Sequence, residues 1–214
     1  MYIPEHFRLR HDADAVAFIR ANPFAILISA TDSGPFATHL PLFVREDRGK
    51  VVLHGHVAKA NPHWRYLEQQ PQCLTIFHGP HSYISPSNYT ARESVPTWNY
   101  AAVHVYGNAR LFSSEQDVHG MLHELMATFE PAYRQQWEEL SQKYRDNMLR
   151  QIVGFEITAT KIEGKFKLSQ NRTHEDQANV IASLENAEDS AVSGVARMMK
   201  EQHLGKTPKD RERE

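Results

Sequence analysis

The sequence predicts a mostly β, α+β fold: an antiparallel barrel with helices packed around its outside. Three observations carry this expectation. Six or seven strand-like segments arrive mostly as neighbours, with helices set between some of them. The strict β-α-β-α alternation of a parallel, doubly wound sheet is missing. Hydrophobic residues make up 41% of the 214 and charged residues 23%, which supports a packed core rather than global disorder.

The elements follow from local pattern. Asp12–Ala21 reads as a helix with Asp12 as N-cap, Val16 and Ile19 on one face, and Asn22-Pro23 as its stop. Phe24–Ala30 and Phe36–Val44 read as a hairpin around Asp32-Ser33-Gly34-Pro35, with Pro41 marking a bulge or an edge. Lys50–Val57 is a third strand. Asn61, a good N-cap, and Pro62, a good first residue, predict a helix from Asn61 with Trp64 and Leu67 on one face. Gln72–Phe77 is a fourth strand, followed by His78–Tyr89, a stretch richer in polar and aromatic residues than a core needs. Val103–Phe112 alternates cleanly, with Val103, Val105, Ala109 and Leu111 inside. Ser113 and Gln116 suggest a capping box, and Val118, Met121, Leu122, Leu125 and Phe129 form the stripe of the helix behind it. A polar helix spans Tyr133–Arg150, and Ile152–Thr160 is a sixth strand that Lys165–Leu168 extends or returns. Thr173 caps a helix with Asp176 three residues on, and another helix runs from Ser190 to about His203. We expect one domain over 1–204 and a charged, disordered tail at 205–214.

Composition narrows the function. The formal net charge is −2, so no global basicity points to nucleic acid. The N-terminus lacks an apolar leader, no window approaches 18 apolar residues, and the single Cys73 fits a reducing compartment; a cytoplasmic, non-membrane protein is expected. His54 and His56 share one strand face, but a third ligand would have to come from elsewhere, from His39, His78 or His81, no H-E-x-x-H or C-x-x-C is present, and no metal is expected. No G-x-S-x-G elbow is present.

Three blocks carry candidate chemistry. Lys59, just ahead of the helix at Asn61, would join an ammonium to free backbone N–H groups, an arrangement suited to phosphate; a plain turn with a solvated lysine is the alternative. Trp98, Asn99 and Tyr100, just before a strand, would line a pocket for a planar ligand or simply pack at a barrel end. Lys161, Lys165, Lys167 and Arg172 against Glu163 give a local charge of +3, for a phosphate or a carbonyl edge, or as a solvated basic loop.

Taken together, Met-Tyr-Ile-Pro at 1–4, Ala-Asn-Pro-Phe at 21–24, Thr-His-Leu-Pro at 38–41, His-Gly-His-Val-Ala-Lys-Ala-Asn-Pro at 54–62, Phe-His-Gly-Pro-His at 77–81, Tyr-Ile-Ser-Pro at 83–86, Val-Pro-Thr-Trp-Asn-Tyr at 95–100 and Lys-Leu-Ser-Gln-Asn-Arg at 167–172 resemble the PaiB-type family of FMN-binding negative transcriptional regulators. The resemblance covers roughly residues 1–185. It implies a split β-barrel like that of pyridoxamine-phosphate oxidase, a homodimer, and FMN as cofactor. It further implies FMN contacts at Thr38, His39, Leu40, Pro41, His56, Lys59, Ala60, Asn61, Trp98, Asn99, Tyr100, Lys167, Gln170 and Arg172. Where the oxidases carry an arginine on the second strand, this chain has Thr38-His39-Leu40-Pro41. The implied role is a regulator; the alternative is a flavin-dependent oxidoreductase acting on a small or planar substrate, haem among them. The helix pair Glu175–Lys200 sets Glu175, Asp176, Glu185, Glu188 and Asp189 against Arg197 and Lys200, net −3, so direct DNA binding is not expected from it.

Overall fold

In a computed structural model of the chain, residues 1–205 are described; of the expected tail, only Gly205 falls within them. Seven strands form one antiparallel sheet: β1 (Phe24–Thr31), β2 (Gly34–Pro41), β3 (Phe43–Asp47), β4 (Lys50–Ala58), β5 (Gln72–Ile84), β6 (Thr97–Leu111) and β7 (Ile152–Lys167), in the order β2-β1-β5-β6-β7-β4-β3. The helices are α1 (Asp12–Ala21), α2 (His63–Gln69), α3 (Glu115–Phe129), α4 (Tyr133–Glu139), α5 (Gln142–Leu149), α6 (His174–Leu184) and α7 (Ser190–Gly205). This is the expected α+β architecture. Among the described residues no helix is long and apolar enough to cross a membrane.

The chain divides into two compact units. The sheet unit comprises His11–Phe77 and Val103–Ile162; the terminal unit comprises Met1–Arg10, His78–Ala102 and the chain from Glu163 onward. In the sheet unit, alternate side chains of β1 and β4 point inward, and Leu27, Leu53, Phe77, Val105, Phe155 and Ile157 are fully or almost fully buried. α1 buries Ala15, Val16, Phe18 and Ile19. Gly107 lies where a Cβ would fall 2.6 Å from the Thr158 carbonyl oxygen, so a side chain has no room there. The terminal unit has its own core of Ile84, Tyr89, Leu168, Val180, Leu184, Val195, Ala196 and Met199.

Several local expectations change. Pro41 ends β2, an edge strand, and the run to Val44 breaks at Leu42, whose N–H is held by the Pro23 carbonyl at 2.9 Å. β5 does not stop at Phe77 but runs to Ile84 through Gly79-Pro80. β6 begins at Thr97, so Trp98, Asn99 and Tyr100 are strand residues rather than residues before the strand. β7 is continuous through Lys167. The helix after β6 is capped by Ser114, whose Oγ accepts from the Asp117 N–H at 3.1 Å, not by Ser113 with Gln116. His11, not Asp12, is the N-cap residue of α1. The polar stretch after Pro131 splits because Ser141 caps a new helix. Thr173 does cap α6, through the Asp176 N–H at 3.1 Å.

Candidate functional site

In the sheet unit the turn from β4 into α2 is tightly held. His63 is fully buried. Its Nδ1 pairs with Thr38 Oγ1 at 2.7 Å and its Nε2 with Ser29 Oγ at 3.0 Å. Burial pushes this imidazole down to about 4, so it is neutral near pH 7, with one nitrogen donating and the other accepting. Asn61 Nδ2 donates to Thr38 Oγ1 at 3.2 Å, and Asn61 Oδ1 accepts from the His63 N–H at 3.0 Å. Asn61 therefore does its capping work, but the helix itself begins at His63 and spans seven residues. Such a short helix has little macrodipole to offer, and the helix-terminus half of the expected anion site falls away. Lys59 remains. Its N–H donates to the Gln151 carbonyl at 2.7 Å, and its carbonyl accepts from Trp64 Nε1 at 3.0 Å. Both backbone groups are tied, while Lys59 and Ala60 are exposed.

The β2 run alternates. Thr38 and Leu40 face inward, and Leu40 is buried; His39 and Pro41 are exposed. The His39 ring stacks on Phe24 with centroids 6.2 Å apart. His56 is half-buried, its Nδ1 lacks a partner, and burial lowers its pKa. Of the residues expected at the cofactor, Thr38 and Asn61 are thus committed to the turn, and Leu40 to the core.

The terminal unit holds the other group. Trp98 is 53% exposed, with His81 stacked at 6.3 Å and Tyr83 edge-on at 6.2 Å. The Lys165 ammonium lies 5.3 Å from the Tyr100 ring centroid. Asn99 is fully buried; its Nδ2 donates to Ser169 Oγ at 2.8 Å and reaches Met199 Sδ at 3.8 Å. Lys167 Nζ donates to Thr97 Oγ1, and the Arg172 guanidinium sits 3.9 Å over the Tyr89 ring. A cavity of about 130 Å3 is lined by Tyr89, Thr97, Asn99, Lys167, Ser169 and Arg172 among others. Desolvation, followed by the neighbouring charges of Lys165 and Arg172, lowers the Lys167 pKa. Gln170 is spent internally: Oε1 accepts from the Leu168 N–H at 2.7 Å and Nε2 donates to the Phe166 carbonyl at 2.5 Å.

One polar surface was not found from sequence. Two clefts of about 450 and 410 Å3 share Arg45, His54 and Glu156. Arg45 pairs with Glu124 at 2.7 Å and Arg110 with Glu156 at 2.9 Å, while His54 lies 4.0 Å from Glu156. The cross-strand pairing of His54 with Glu156 brings these charges together, and no local motif announces it. Cys73 is buried and its thiol is pushed up to about 12, which removes it as a nucleophile.

Residues 1–161 match a family model described as "Putative FMN-binding domain". The chain is 37% identical to Protease synthase and sporulation protein PAI 2 of Bacillus subtilis, over 94% of this chain and 97% of that protein. It is 30% identical to an uncharacterized protein of Emericella nidulans, over 86% and 90%. Among solved structures, the FAD and heme binding protein from Mycobacterium smegmatis superposes with a TM-score of 0.58 at 16% identity, covering 80% of this chain and 78% of that one. The flavocytochrome Anf3 from Azotobacter vinelandii gives 0.55 at 21% identity, covering 79% and 74%. At these identities the structures establish a shared fold, the split barrel.

Proposed function

The chain belongs to the FMN-binding family whose model it matches, and from that premise we propose that it binds FMN with the phosphate at the Lys59 turn. One observation carries the reading. Lys59 is an exposed cation whose backbone N–H and carbonyl are both pinned, by Gln151 and Trp64. The ammonium therefore starts from a fixed point, and less conformational freedom is lost when an anion is bound. The network of Ser29, Thr38, Asn61 and His63 supports the turn from beneath rather than touching the ligand. Exposed His39 and Pro41 offer the ring of the cofactor an adjoining surface on β2. When bound, the flavin would supply electron-transfer chemistry; the protein residues hold and orient it.

The exposed aromatics Tyr2, Tyr83 and Trp98 of the terminal unit support a second copy of the chain as a partner. The test of the main reading is FMN titration of the wild type and of Lys59→Ala. Loss of a charge-assisted hydrogen bond should cost about 1–3 kcal/mol in affinity. Unchanged affinity in the variant would remove the phosphate from Lys59. Adding NAD(P)H to the yellow, FMN-loaded protein then separates an oxidoreductase, which bleaches, from a binding protein or regulator, which does not.

A further inference from the structure

The apolar stripe of α3 is not closed by the helix that follows it. Leu122, Leu125, Met126 and Phe129 recur at helical spacing, and Tyr133 and Trp137 stand one turn apart on α4. Leu122 and Leu125 are only half-buried, and Phe129 is 43% exposed. The two helix faces border a cavity of about 230 Å3, with Glu130 at the corner between them. All of these residues belong to the sheet unit. Glu130 is the single charged group among the described lining residues. Its backbone is fixed on both sides: its N–H donates to the Met126 carbonyl at 2.8 Å, and its carbonyl accepts from the Tyr133 N–H at 3.0 Å. Its carboxylate is in no ion pair among the described residues. The stretch 130–139 sets Glu130, Glu138 and Glu139 against Arg134, net −2. Trp137 is buried, and its Nε1 has no hydrogen-bond partner. A phenylalanine would fill the position without a buried, unpaired N–H, which costs stability, so packing alone does not account for an indole. What the indole adds to bulk is the aromatic face that attracts cations most strongly.

Three aromatic side chains and a carboxylate beside an apolar floor attract positive charge, the rings through their negative faces and the carboxylate directly. A primary ammonium is a poor fit. It is compact, strongly hydrated and brings three N–H donors, and the lining offers side-chain acceptors only at Glu130 and the Tyr133 hydroxyl. A neutral apolar ligand fits the floor but leaves the Glu130 charge unanswered. A quaternary ammonium has no N–H to satisfy and spreads its charge over carbon. We infer that this cavity binds a small molecule bearing a quaternary ammonium head, its methyl groups against Leu122, Leu125 and Met126 and its charge answered by Glu130 and by the rings of Phe129, Tyr133 and Trp137. Size agrees. Cavities of about 150 Å3 take up a benzene ring, so about 230 Å3 admits a trimethylammonium head and a short stem. The inference stands apart from the FMN reading, which uses none of these residues.

The test is calorimetric titration of the full chain with choline and with 3,3-dimethylbutan-1-ol, the neutral isostere in which carbon replaces the nitrogen. The wild type should bind choline about tenfold more tightly than the alcohol. Glu130→Gln keeps the shape and removes the charge; Trp137→Phe keeps an aromatic ring with a weaker face. Each should lower choline affinity by about three- to tenfold and leave the affinity for the alcohol unmoved. Trp137→Phe should keep the wild-type melting temperature, since it also removes the unpaired N–H; if it does not, Tyr133→Leu takes its place with the same expected loss. Methylammonium, a primary ammonium, should not compete with choline. Equal binding of choline and the alcohol makes this a plain apolar pocket and overturns the inference. Choline affinity that is unchanged in Glu130→Gln or in the aromatic variant overturns it as well, as does competition by methylammonium. A wild type that does not bind choline overturns it outright, and loss of self-association in Phe129→Ser would then assign the cavity to a second copy of the chain.

Discussion

Lys59 in the sheet unit and Lys167 in the terminal unit are two lysines in opposite situations. Lys59 has a pinned backbone and an exposed side chain. Lys167 is partly buried, bonded to Thr97 and crowded by Lys165 and Arg172. The first is a cation whose origin is fixed and whose head is free, which suits a doubly charged group arriving from water. The second is a cation confined among like charges whose ammonium is already bonded to a hydroxyl. A lysine's role here is set less by its charge than by which part of it the fold holds still.

The strongest way to break the contrast is to remove the support beneath Lys59. His63→Ala deletes a fully buried ring, leaves the Ser29 hydroxyl without its imidazole partner and leaves Thr38 Oγ1 with Asn61 Nδ2 alone. We expect a loss of about 2–4 kcal/mol in denaturant unfolding, together with weaker FMN binding. Acid should probe the same group. The His63 pKa is lowered from 6.5 to about 4 in the folded protein. The unfolded chain therefore takes up a proton that the native state refuses. The contribution is complete above pH 6.5 and is lost as pH falls toward 4, by about 3 kcal/mol in all. Unfolding free energies measured across that window should slope more steeply in the wild type than in His63→Ala. Parallel slopes would show that the ring is not the neutral centre of the turn.

A smaller change sharpens the contrast. Trp64→Phe removes the indole N–H from the Lys59 carbonyl while keeping most of the ring. Stability should fall by about 0.5–1.5 kcal/mol, and FMN affinity should fall with it by a few-fold. A Trp64→Phe protein with wild-type FMN affinity would mean that pinning the Lys59 carbonyl contributes nothing to the phosphate site.

The smallest expected effect is a null result with DNA. Lys200 is ion-paired to Glu185, and Asp176 accepts from the Thr90 backbone and hydroxyl at 2.8 and 3.0 Å, so the acidic α6–α7 pair stays acidic. No discrete footprint is expected at physiological salt, where specific binders reach about 10⁻⁸ M or tighter. A footprint lost on changing Lys165 and Lys167 to Ala would instead assign the basic stretch of the terminal unit to DNA.

The comparison also marks where local pattern stops being informative. The alternation of Val103, Val105, Ala109 and Leu111, the Thr173 cap and the α1 stripe were legible because each depends on residues within a turn or two of one another. The course of β5 through Gly79-Pro80 was not. That dipeptide reads as a turn, yet Gly194 of α7 packs so close that a Cβ there would lie 2.8 Å from Pro80 Cγ. The extended conformation is held by a helix more than a hundred residues away.

By itself the sequence determined the fold class, the family and the list of polar residues from which any site must be drawn, because hydrophobic period, capping chemistry and motif composition are local quantities. Only the tertiary structure decided which members of that list are available. Thr38 and Asn61 bond to each other across 23 residues, His63 and Ser29 across 34, and Asn99 and Ser169 across 70. Each such bond spends part of a side chain's capacity, whereas a residue tied through its backbone alone, like Lys59, keeps its whole side chain for a ligand. Hydrogen-bond capacity is finite, and it is long-range packing that allocates it.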